Sequence, residues 1–148
     1  MIYHIYTDGA ASAERSAMAS AYVVLSDNKF IRKGFMQTSG LSNPAYAETL
    51  AVALASKDLI KNIRKNDKIV FHIDCSSTIK FINDIIILRS VPLNENSNGI
   101  ISTALYDIDA LHSKCENIKL EKVKAHKNVI TPNSYVDRLA KLILRKGL

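Results

Sequence analysis

Lys68-Ile69-Val70-Phe71-His72-Ile73-Asp74-Cys75-Ser76 is the stretch on which the fold turns. Its apolar, β-branched run from Lys68 to Ile73 reads as a strand, and Ser76 reads as the cap of a helix through about Leu88. Upstream, Asn43 reads as an N-cap and Pro44 as the first residue of an Ala- and Leu-rich helix running to about Ile63. The 68–73 strand therefore lies between two helices. Before them, Ile2–Thr7, Ala19–Leu25 and Phe30–Thr38 read as an antiparallel meander, with Ser26-Asp27-Asn28-Lys29 as the second turn. Beyond them, Arg89–Asn98 reads as the main loop, Gly99 to about Lys114 as a helix, and Ile118–Val123 as a fifth strand. Thr131 and Pro132 then open a C-terminal helix. The order βββαβααβα predicts an α/β fold: a five-stranded mixed sheet, three antiparallel strands then two parallel additions, flanked by helices. No repeat, low-complexity tract or linker is visible, so residues 1–148 are expected to form a single domain.

A chain of 148 residues with 47% hydrophobic side chains is long enough to bury a core without disulfides or structural metal. Its composition excludes disorder. The net charge of +6 makes a polyanionic partner plausible. The two cysteines, Cys75 and Cys115, fit no metal-site spacing, and a reducing cytoplasm is the expected setting. No secretory signal pattern is present, and no apolar run approaches membrane-spanning length. No membrane association and no obligate protein partner are expected.

Four carboxylates stand in short, recognisable settings. Asp8 follows a strand-like run in Ile5-Tyr6-Thr7-Asp8-Gly9; Asp-Gly also signals a tight hairpin, but the next strand begins about ten residues later. Glu48 lies in Ala45-Tyr46-Ala47-Glu48-Thr49-Leu50 and heads a stripe with Val52, Ala55 and Leu59, which should turn it toward the sheet. The bland reading is an acid placed to suit the helix dipole. Asp74 ends its strand, where ligand sites gather in α/β sheets, and could equally cap the next helix. Asp137 could pair with Lys141 one turn on. Acidic groups converging from strand and helix ends repel unless a divalent cation joins them, and that combination points to phosphoryl chemistry. His126 lies eleven residues before Asp137, placed to relay protons near such a site.

Together these pieces resemble ribonuclease H of type 1, including its retroviral domains, over nearly the whole chain. Tyr6-Thr7-Asp8-Gly9-Ala10-Ala11 resembles the family's first strand. Tyr46-Ala47-Glu48-Thr49-Leu50 resembles its helix motif, and Ile73-Asp74-Cys75-Ser76 its strand-four segment. Val123-Lys124-Ala125-His126 with Asn133 and Val136-Asp137-Arg138-Leu139-Ala140 resembles its ending. The resemblance implies cleavage of the RNA strand of an RNA–DNA hybrid, leaving 3′-hydroxyl and 5′-phosphate ends. It implies two Mg²⁺ ions, replaceable by Mn²⁺, held by Asp8, Glu48, Asp74 and Asp137. His126 would assist proton transfer or product release. Gly9, Asn43, Ser76 and Asn133 are the expected substrate contacts.

The chain departs from the family around its substrate surface. Ser12-Ala13-Glu14-Arg15-Ser16-Ala17 lacks the glycine-rich turn, Pro44 follows Asn43, Ser76 replaces a glutamine, and the basic, tryptophan-bearing handle is missing. Two lysine-rich groups are the candidates to replace the handle: Lys57, Lys61, Arg64, Lys65 and Lys68, or Lys119, Lys122, Lys124 and Lys127. Each is equally a solvated surface. Two competing functions remain: a nucleic-acid-binding module with little or no cleavage, and a related nuclease with another duplex substrate.

Overall fold

In a computed structural model of the chain, residues 1–88, 99–123 and 131–146 are described; the Arg89–Asn98 loop, His126, Lys124 and Lys127 lie outside them. The elements follow the expected order: β1 (Ile2–Ser12), β2 (Ala17–Ser26), β3 (Lys29–Ser39), α1 (Pro44–Leu59), β4 (Lys68–Ile73), α2 (Ser76–Leu88), α3 (Gly99–Lys114), β5 (Asn117–Lys122) and α4 (Pro132–Lys146). The sheet runs β3-β2-β1-β4-β5. Its first three strands are antiparallel, and β4 and β5 add in parallel.

Local chemistry explains most boundaries. Ser26 and Lys29 face each other across a two-residue hairpin loop in which Asp27 and Asn28 have φ of 54° and 61°. A loop that keeps the strands' twist needs left-handed backbone at both positions, which short polar side chains tolerate. Asn43 accepts the Tyr46 amide at 3.2 Å, capping α1 as expected. Thr131 and Ser134 bond reciprocally through side chain and amide, closing the first turn of α4. At α2 the cap moves by one: Cys75 accepts from the Ile79 amide, and Ser76 is already helical. α1 ends at Leu59, with Ile60–Ile63 folding into turns that bring Ile63 back into the core.

β1 is longer than its sequence suggests. It continues through Asp8 and Gly9 to Ser12, paired with β2 down to Ala17, so Asp8 stands inside a strand rather than at its end. The Ala-rich extension has little strand preference of its own; pairing with Met18, Ala19 and Ser20 holds it.

The two faces of the sheet are covered unequally. Ile5, Phe71, Ile69 and Ile73 point toward α1, α2 and α3 and form the main core with Leu50, Val52, Ile82 and Leu111. Burying each such side chain contributes about 1.5–3 kcal/mol. On the opposite face, Ala21 and Val23 meet Val136 and Ala140 of α4, flanked by Tyr6 and Ala10. α1 is buried on nearly all sides, which its small residues permit. β3 is an edge strand with Phe30, Ile31 and Phe35 exposed beside Lys29, Arg32 and Lys33.

Candidate active site

The site forms where α1 crosses β1. A Cβ on Gly9 would lie 2.4 Å from the Ala47 carbonyl carbon and 2.5 Å from the Glu48 nitrogen, so only glycine allows this approach. From the neighbouring strand, the Ser20 hydroxyl donates to the Ala47 carbonyl at 2.7 Å and locks the first turn of α1 in place. Glu48, the next residue, is thereby carried to Asp8.

Asp74 arrives from the other side. The parallel ladder between β1 and β4 ends at the pair Tyr6 and His72. Two residues further along each strand come Asp8 and Asp74, beyond the last paired rung. Carboxylate oxygens of Asp8, Glu48 and Asp74 lie within 4.8 Å of one another. Asp8 is 3% exposed, and Asp74 is open to solvent.

Their electrostatics are those of a site short of positive charge. Burial pushes the Asp8 and Glu48 carboxyls up, and each is raised further by the negative charge of Asp74. The Asp8 carboxylate also raises Glu48. Asp74 is raised by burial and by Asp137. One Asp8 oxygen accepts the Gly9 amide at 2.9 Å, whereas Oε2 of Glu48 is buried with no hydrogen-bond partner. An orphaned, buried carboxylate oxygen among other carboxylates calls for a cation or a shared proton. A divalent cation fits this hard oxygen donor set.

Asp137 stands at the rim. It reaches Asp8 closely enough to raise its pKa, but it lies outside the 4.8 Å set. Its Oδ2 accepts Lys141 Nζ at 3.0 Å across one turn of α4. The ion pair expected of Asp137 is present, and its carboxylate also neighbours Asp8. Gly9 supports α1, and the Asn43 side chain is engaged as a helix cap. Ser76 is exposed at the start of α2. Oδ1 of Asn133 is buried without a hydrogen-bond partner. His126 falls outside the described residues. Sequence reasoning missed the stack of Tyr6, His72 and His4 that adjoins the aspartates, because only the pairing of β1 with β4 brings the three rings together. Tyr6 and His72 rings lie 4.3 Å apart, and His4 Nδ1 is 2.9 Å from His72 Nε2.

A model of the RNase H family matches residues 2–144. Among curated proteins none matches. Solved structures share the fold at low sequence identity. The N-terminal RNase H domain of a Mycobacterium tuberculosis protein, solved as a fusion with maltose-binding protein, superposes with a TM-score of 0.72 at 16% identity, covering 97% of this chain and 94% of that one. RNase H1 of the archaeon Halobacterium salinarum gives 0.70 at 16% identity, with 99% and 100% covered. Prototype foamy virus protease–reverse transcriptase gives 0.73 at 18% identity over 95% of this chain and 20% of the viral chain.

Proposed function

The chain belongs to the ribonuclease H family, and from that premise we propose that it is a divalent-metal-dependent endoribonuclease that cuts the RNA strand of RNA–DNA hybrids. The observation that carries this reading is the convergence of Asp8, Glu48 and Asp74 with a buried, unsatisfied oxygen on Glu48. In this assignment those three and Asp137 hold two Mg²⁺ ions, or Mn²⁺ in their place. Such ions supply an acidified attacking water and neutralise charge on the leaving oxygen.

The chain's own groups do the rest. Gly9 and Ser20 fix the α1 crossing, so the carboxylates are in place before substrate arrives. The depth of Asp8 keeps bulk water from screening the charges beside it. Asp137, open at the rim, faces the side from which a backbone phosphate would approach. His126 is assigned to proton transfer or release of the cut end, and Ser76 and Asn133 to contacts with the substrate. Recognition of RNA over DNA requires a group that senses the 2′-hydroxyl.

A second reading, a nuclease of the same chemistry with a different duplex substrate, rests on Asn43. Its side-chain oxygen already accepts the Tyr46 amide as a helix cap, which ties its orientation to α1.

The deciding experiment is cleavage of a labelled RNA–DNA hybrid beside matched RNA and DNA duplexes, with Mg²⁺ or Mn²⁺ and with Asp8→Asn as control. Hybrid-selective cutting abolished in Asp8→Asn is the expected result. Cutting of another duplex would move the assignment to the second reading. Binding without any cutting would leave a nucleic-acid-binding module.

A further inference from the structure

We propose that a notch on α4, lined by Arg138, Lys141, Leu144 and Arg145, is a phosphate-binding site that holds a nucleic-acid backbone beside the acidic cluster. The proposal rests on the reading of this chain as a nucleic-acid enzyme and adds where the backbone is gripped. Sequence alone pointed to lysines at the end of α1 and around β5; the structure points to a third place.

The notch has a volume of about 280 Å³. Three of its four lining side chains are cationic, the fourth supplies an apolar floor, and no carboxylate among the described residues lines it. Residues 138, 141 and 145 are spaced so that a helix puts them on one face. Arg138, Lys141 and Arg145 are all exposed. Lys141 is shared with Asp137, but among the described residues neither Arg138 nor Arg145 pairs with a carboxylate. A concave surface with three cations, two of them arginines without a carboxylate partner among the described residues, is suited to an anion. Two of the three are arginines, whose planar forks match phosphate oxygens in pairs.

A fourth cation stands at the end of this row. Arg15, in the turn between β1 and β2, donates from Nη1 to the Leu144 carbonyl at 3.3 Å and to the Arg145 carbonyl. It ties the last turn of α4 to the sheet and neutralises the negative end of the helix dipole, which would otherwise repel a phosphate. The row is also well placed along the helix. Arg138 follows Asp137 directly, and Arg145 lies roughly 10 Å further along the helix axis. That distance is about the rise of three steps of a nucleic-acid strand. A backbone whose scissile phosphate sits at the acidic cluster would thus pass over the notch a few nucleotides away.

The test reads binding, not cleavage. In an Asp8→Asn background, the affinity for an RNA–DNA hybrid and a matched DNA duplex is followed across a salt series. The parent is compared with Arg138→Gln/Arg145→Gln, with Arg138→Lys/Arg145→Lys, and with Lys61→Gln/Lys65→Gln, which removes the same charge from the exposed turns that follow α1. The glutamine pair on α4 should flatten the dependence of log K on log salt by about 2, roughly 0.9 for each phosphate no longer neutralised. The lysine pair should keep most of the slope, and the Lys61/Lys65 pair all of it. An unchanged slope in the α4 glutamine pair, an equal flattening in the Lys61/Lys65 pair, or no binding by the parent would overturn the proposal. A flattened slope in a protein that cuts no duplex would keep the notch and sink the ribonuclease assignment, so the two fail separately.

Discussion

Asp8 shows how one side chain carries opposite duties. It is a buried acid whose pKa is raised by burial and by Asp137 and Asp74, and it is one of the residues proposed to hold the metal. The sign of its effect on stability follows. Between the ordinary carboxylate value near 4 and its raised native value, the native state holds more protons than the unfolded state. Without metal, stability therefore falls as pH rises through that window. Asp8→Asn removes the burden: metal-free protein should gain on the order of 1 kcal/mol at pH near 7, about 3–5 °C in Tm, and the gain should vanish toward pH 4. The same substitution should lower cleavage by several kcal/mol of barrier, on the order of 10³-fold. Thermal melts at two pH values and a rate assay check the pair of effects. A destabilised Asp8→Asn at neutral pH would contradict the charge-repulsion account.

At the scale of elements, the crossing of α1 over β1 depends on one missing Cβ. Gly9→Ala should cost about 1–3 kcal/mol, because the neighbour it meets is helix backbone that cannot rotate away. Urea unfolding measures the cost, and weakened Mg²⁺ binding should accompany it, since Glu48 moves with Ala47. Where β1 and β4 pair, His72 is held below its ordinary value by burial and by His4. Protons are then favoured on the unfolded chain. This contribution to stability is complete above about pH 6.5 and is lost as pH falls from there toward the depressed native value. His72→Gln should flatten that part of the stability–pH curve, and a curve of unchanged shape would exclude the histidine pair as its source.

These two elements also show what the sequence could and could not reveal. Asn43, Thr131 and the Asp27-Asn28 turn were legible because capping and left-handed turns are local, decided by a few adjacent residues. The length of β1 was not: residues 10–12 look indifferent until Ala17, Met18 and Ala19 are known to lie opposite. Asp8, Glu48 and Asp74 were legible as candidates through their settings, and their convergence needed the register of β1 against β4. The Arg138–Arg145 notch was illegible, because its cations look like any solvated helix face until Leu144 and the Arg15 tether are placed beside them.

Across the whole molecule, the candidate site gathers one carboxylate from each of β1, α1, α4 and the end of β4. Two faces of the sheet are represented, so a bound cation would act as a cross-brace as well as a reagent. Mg²⁺ should stabilise the parent by RT ln(1 + [Mg²⁺]/Kd), about 2.7 kcal/mol at a hundred times Kd, and should do far less for Glu48→Gln. Thermal melts across a Mg²⁺ series measure both, and equal shifts in the two proteins would place the ion elsewhere.

The outer strand β3 has a consequence for handling the protein in solution. Its free edge offers Phe30, Ile31 and Phe35 to any similar edge, and Lys29, Arg32 and Lys33 keep two copies apart by like charge. That protection reaches only as far as the ionic atmosphere allows, about 10 Å at 0.1 M salt and about 3 Å at 1 M. Concentrated salt should therefore be the condition in which the protein clusters. Light scattering should rise with ionic strength, and Phe35→Lys should abolish the rise.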